Sequence, residues 1–268
     1  MNKARRLGSF FSFSSFVRKL PWIFFGVYSI LSILLYKERL FADSGFYFFS
    51  ITNFESLMIP HGRWAVAILQ LPLLAAVGMG APLKLAALIF SLSFPMFYAV
   101  IYFLNGHILR SRRAAWIPVG LLAFSSPTLF FWPVSELMLG LAVLSVLVAV
   151  SDSELPRMHS TIIIELLCVL VCIIALMFHI GTYPIIIFLL AFLWLDSRIK
   201  LRTLGICLCS ATVFVLFKLA IGLDDYESNR LALNASLLDW TYLPRLFRNF
   251  VSGQIFVTLG LCLIMQHG

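Results

Sequence analysis

Apolar runs of about 20 residues, the length with which a helix crosses ~30 Å of hydrocarbon, recur along this chain with little polar sequence between them. Leu83 to Leu104, Ala114 to Phe131, Thr161 to Phe178 and Thr203 to Ile221 each carry at most one charged residue. Within a bilayer the backbone must satisfy its own polar groups, which leaves only helices and closed barrels. Continuous runs of this length without strict alternation select helices. Composition agrees, because 61% of the residues are hydrophobic and 12% charged, against roughly 45–50% and about 25% in soluble domains. The expected fold is therefore all-α, a polytopic membrane helical bundle forming one transmembrane domain over residues 1–268. The net charge of +8 belongs with the membrane and its lipids, and no nucleic-acid partner is expected.

Basic residues orient the bundle. Lys3, Arg5, Arg6, Arg18 and Lys19 flank a Ser/Phe-rich segment and precede an apolar run from Leu20 to Tyr36 with no small-x-small cleavage site before Lys37. This reads as a retained first helix with a cytoplasmic amino terminus, residues 1–19 forming a basic tail. The first outer loop then covers 37–82. The apolar block at 64–80 is either a span or a juxtamembrane or re-entrant helix in the outer interface. Counted as a span, it divides Lys and Arg evenly between the two faces. Counted as interfacial, it places Arg110, Arg112 and Arg113 inside with most of the other basic residues, the arrangement that membrane insertion favours. About eight transmembrane helices follow, at Leu20–Tyr36, Leu83–Leu104, Ala114–Phe131, Glu136–Val150, Thr161–Phe178, Tyr183–Leu195, Thr203–Ile221 and Phe250–Met265, with a second outer loop at 222–249. The five cysteines all lie inside apolar runs, so neither a disulfide framework nor an aqueous zinc spacing is present.

The stretch from Phe41 to Trp64 concentrates ionisable groups among aromatics: Asp43, Glu55, His61 and Arg63. Asp43 heads Asp-Ser-Gly-Phe-Tyr-Phe-Phe, where neighbouring rings exclude water and suit a general base; it also follows Arg39 by four residues and on a helix would simply pair with it. Glu136 stands between two spans at the mouth of an apolar helix. An acid at that depth is a functional hypothesis by default, although an anion at a helix amino terminus also meets the positive end of the macrodipole. His61 and Arg63 suit a phosphate and equally suit lipid headgroups. His179, in Phe178-His-Ile-Gly-Thr-Tyr-Pro184, belongs to the same face, as a binding residue or as a structural histidine at a helix end. Arg230 and Arg245 place cations on the outer face, where an anionic partner is expected. Glu165 and Lys218, near the ends of their helices, are read as snorkelling.

The order of these features resembles the amino-terminal half of the GT-C superfamily of integral-membrane glycosyltransferases, which includes protein mannosyltransferases and aminoarabinose transferases. The shared features are an inside amino terminus, a first outer loop with an acid in an Asp-x-x-Phe-Tyr context, a juxtamembrane helix begun by His61, a span ending in a basic turn, and Ser-Pro followed by Ser135-Glu136. The resemblance covers about Leu20 to Leu195. It departs where Ser44 follows Asp43 in place of a second acid, and where His61-Gly62-Arg63 stands in place of His-Pro-Pro. Members continue beyond this length, so the resemblance implies an amino-terminal half ending at Gly268. It further implies transfer of a sugar from a polyprenyl-phosphate-linked donor to a lipid, glycan or protein acceptor outside the plasma (inner) membrane. Asp43 and Glu136 would be catalytic, or would hold a divalent metal ion. His61, Arg63, His179, Arg230 and Arg245 would bind substrate. The reading from another class is a non-enzymatic lipid-handling or transport protein whose arginines bind anionic lipids.

Overall fold

The structure is a computed structural model that describes residues 3–131, 133–153, 161–221 and 228–229, with side chains from Lys19 onward except those of 126–129. These residues form nine α-helices and no strand: α1 (Lys3–Leu34), α2 (Asp43–Phe54), α3 (Ala67–Gly78), α4 (Leu83–Phe103), α5 (Arg112–Leu129), α6 (Glu136–Asp152), α7 (Thr161–Phe178), α8 (Tyr183–Leu195) and α9 (Leu201–Ile221). The all-helical bundle matches the expectation from apolar runs, and the expected count of about eight transmembrane helices is met in part. Among the described residues three helices are long and apolar enough to cross a membrane: Leu83–Ile108, Thr161–Phe178 and Leu201–Ile221. The apolar helices at Lys19–Leu34, Trp64–Gly78 and Ile180–Leu195 are shorter. Polar residues explain two more shortfalls, since α5 opens on Arg112-Arg113 and α6 is bounded by Glu136 and Asp152. The expected last run, 250–265, lies outside the described residues.

α4 is the central helix, packed against α1, α3, α5 and α6. Its aromatic side is filled by α1, where Trp22 meets Tyr102 edge-on at 5.2 Å between centroids, and by Phe48 of α2 against Phe90 at 5.9 Å. α3 and α4 form a hairpin that turns at Gly80, whose φ of 70° is open to glycine at little cost. At twelve residues and about 1.5 Å per residue, α3 is too short to cross hydrocarbon alone.

The bundle has two polar ends. At one, Ser111 Oγ donates to Asp152 at 2.8 Å, Arg198 reaches both Asp152 and Asp196, and Arg202 pairs with Glu165 at 3.1 Å. Glu165 does not snorkel, because its side chain is buried and its charge is met by Arg202 across the α7–α9 contact. The opposite end collects the residues after α1, the start of α2, the turn from α5 to α6 and the turn from α7 to α8.

Arg39 organises that second end. The expected pairing with Asp43 is absent, because the chain leaves α1 before Arg39 and starts α2 only at Asp43, so the two share no helix face. Arg39 instead turns inward to 1% exposure. It donates to Ser91 Oγ at 2.8 Å, to the Ser91 carbonyl at 3.2 Å and to the Phe130 carbonyl at 2.7 Å. Its guanidinium lies over the rings of Phe130 (4.7 Å) and Tyr28 (5.6 Å). One cation thus ties the segment before Asp43 to α4 and to the segment before Glu136.

Close approach also explains Gly45. A Cβ there would stand 2.4 Å from the Leu40 carbonyl oxygen, a contact that the first turn of α2 cannot relieve without shifting. Gly45→Ala is expected to lower stability by about 1–3 kcal/mol, read as an earlier thermal unfolding transition of the protein in nanodiscs.

Candidate functional site

Three segments converge on one cavity of about 570 Å³. The first is the start of α2, where Ala42 takes a φ of 50° and ψ of −127°, a strained setting for a residue with a Cβ. This bend sets Asp43 as the first residue of the helix and brings Tyr47, four residues on, to the same face. The second is the loop ahead of α3. Gln70, 1% exposed in an otherwise apolar helix, accepts from the Met58 N–H at 2.8 Å and donates to the Met58 carbonyl at 2.6 Å. With the loop so fixed, His61 adopts a φ of 57° and Gly62 a φ of 63°. This reversal turns Arg63 into the protein at 8% exposure.

The third is the pair of turns at Ser135 and His179. Ser135 is extended and makes no side-chain cap to α6, so Glu136 enters the first turn with its carboxylate directed to other partners. Arg63 Nη1 lies 3.2 Å from Glu136 Oε2, and Tyr47 Oη donates to Glu136 Oε1 at 2.9 Å. Burial, reinforced by the Glu136 carboxylate, pushes the Tyr47 phenol well above its ordinary range. Tyr47 therefore stays a donor, and its support of the fold is intact below the usual tyrosine value near 10 and lost only above it. His179 accepts the Gly181 N–H on Nδ1 at 2.9 Å, which leaves the proton of the neutral ring on Nε2.

Asp43, His61, Arg63, Glu136 and His179, singled out from the sequence, all line this cavity, with Phe46 and Tyr47 beside them. Arg230 and Arg245 lie outside the described residues. Three contributors were missed: Arg39, Gln70 and Tyr47. Each had a signal, since a lone amide within an apolar helix requires a partner, a basic residue between aromatic segments has rings to lie on, and Tyr47 is one helical turn from Asp43.

Asp43 and Glu136, the residues expected to hold a divalent metal ion, differ in their partners. Both Glu136 oxygens are engaged by donors, and no group of three or more His, Cys, Asp or Glu side chains suited to a metal ion is gathered among the described residues. What the arrangement supplies is an outward carboxylate at Asp43, a donor-held carboxylate at Glu136 and an arginine able to exchange one anion for another. No protein-family model, no curated protein and no solved structure matches this chain.

Proposed function

We propose that the chain is a membrane glycosyltransferase that moves a sugar from a polyprenyl phosphate carrier to an acceptor on the extracytoplasmic face. The observation that carries this reading is the cavity at one end of an apolar bundle, where two carboxylates, an arginine and two histidines meet. A departing phosphate needs a cation and an acceptor needs a base, and both are within this set. In the resting geometry Arg63 is spent on Glu136. An entering phosphate competes for Arg63, and the Glu136 carboxylate, still held at Oε1 by Tyr47, is then open at Oε2 to take the acceptor's proton as the acceptor–sugar bond forms and the sugar–phosphate bond breaks, the carrier phosphate leaving beside Arg63. Asp43, unencumbered at the cavity wall, activates or orients the acceptor.

The test uses purified protein in nanodiscs supplied with a radiolabelled polyprenyl-phosphate sugar and an acceptor fraction. Label should pass to the acceptor, and Asp43→Asn should lower the rate by at least ~10²-fold with insertion intact. Equal transfer by wild type and Asp43→Asn would defeat the reading. The Arg63–Glu136 ion pair also suits the alternative of a non-enzymatic lipid-handling protein in which acids offset lipid-binding arginines. That reading predicts anionic-lipid binding with no label transfer at all.

A further inference from the structure

The charged side chains described around the cavity bear on what its Asp43 side receives. Two carboxylates, Asp43 and Glu136, face one arginine, Arg63. Arg63 and Glu136 offset each other at 3.2 Å, and His179 accepts the Gly181 N–H at Nδ1. Asp43 has neither a hydrogen bond nor an ion pair to any described residue, and it is exposed to the cavity. The amino end of α2 offsets part of the Asp43 charge, by about half a unit at most. Next to this carboxylate stand Phe46, more than half exposed, and Tyr47. A carboxylate with aromatic faces beside it is the chemistry that recognises an ammonium group.

We infer that the Asp43 side of the cavity binds a protonated amine, so that the substrate portion docking there is an amine-bearing group rather than a neutral alcohol. This rests on the transferase reading for its sense of direction, since a donor phosphate held at Arg63 adds further negative charge and strengthens the demand for a cation opposite. The recognition itself involves no turnover and is measured separately.

The probes are dodecylammonium, dodecanol and dodecyl phosphate, titrated by calorimetry at neutral pH into the full chain in phosphatidylcholine nanodiscs. Empty nanodiscs correct for partitioning. Dodecylammonium should bind more tightly than dodecanol, Asp43→Asn should weaken it about five- to tenfold, and Phe46→Leu should weaken it by a smaller factor. Asp43 and Phe46 are exposed, so both variants should fold, which thermal unfolding verifies. Dodecyl phosphate should be indifferent to Asp43→Asn. Equal binding of the amine and the alcohol, an Asp43→Asn variant that binds the amine as wild type does, or Mg²⁺ displacing the amine at lower concentration than the amine itself requires would each overturn the inference. Amine binding that depends on Asp43 without any sugar transfer would uphold the inference and remove the transferase reading. Transfer to a hydroxyl acceptor with Asp43-independent amine binding would do the reverse.

Discussion

Replacing Arg39 with methionine is expected to destabilise the bundle by about 3–5 kcal/mol. Methionine keeps much of the apolar stem but removes all three hydrogen bonds. The Phe130 carbonyl and the Ser91 carbonyl then lose a charged donor in a dry interior, and Ser91 Oγ, which itself donates to the Ser32 carbonyl at 2.8 Å, loses the group that oriented it. Each stranded buried acceptor costs about 1–3 kcal/mol. Arg39→Lys should recover only part of the loss, because one ammonium cannot reproduce the planar fork that serves Ser91 and Phe130 together. Thermal unfolding in nanodiscs reads both variants, and an Arg39→Met protein as stable as wild type would show that the cation is not what ties the segments bearing Asp43 and Glu136 together.

The second large effect is on turnover. Glu136→Gln should lower sugar transfer by ~10²–10⁴-fold, the range expected when a positioned acid–base group is lost. Arg63→Met should also lower it, by removing the cation that meets the phosphate and leaving Glu136 without its ion-pair partner. Because the two side chains touch at 3.2 Å, their effects should not add. The double variant should be no slower than the worse single variant, within about threefold. Rates of labelled transfer for the four proteins give the answer. Strictly multiplicative losses would mean that Arg63 and Glu136 act at separate points.

Much of the fold was legible because apolar run length maps onto helix length. The boundaries Thr161–Phe178 and Tyr183–Leu195 are those of the apolar runs themselves, and α6 starts at Glu136, where an acid marks the turn. The helix at Asp43–Phe54 was not legible: the run of rings from Phe46 to Phe49 covers every face of a turn, so no apolar stripe stands out, and its start depends on the unusual backbone at Ala42 and on the bare Cα of Gly45. Length alone separates the three helices long enough to cross a membrane from the shorter apolar helices, which share their composition.

For the site, the ionisable residues were legible one by one, since each is conspicuous in apolar surroundings. Their pairing was not. Nothing in the spacing of Asp43 after Arg39 reveals that Arg39 turns inward to Ser91 and Phe130, which lie far along the chain. Nor does the local sequence of Glu136 name Tyr47 and Arg63 as its partners. Those contacts depend on how α2 and the loop ahead of α3 fold over the α5–α6 turn, which is tertiary information.

The proposed extracytoplasmic transfer requires the cavity residues to share the outer face of the membrane, with the cluster of Arg198, Asp152 and Ser111 on the other face. Single cysteines at Glu55, Ala81, Ser135, Arg112 and Ser197, in a chain whose five native cysteines are replaced, test it with a membrane-impermeant maleimide applied to intact cells. Labelling is expected at Glu55, Ala81 and Ser135, with protection at Arg112 and Ser197 until the cells are opened. Labelling at Arg112 with protection at Ser135 would place the cavity in the cytoplasm and contradict extracytoplasmic transfer. Opposite outcomes at Glu55 and Ser135 would separate Asp43 from Glu136 and contradict the site itself.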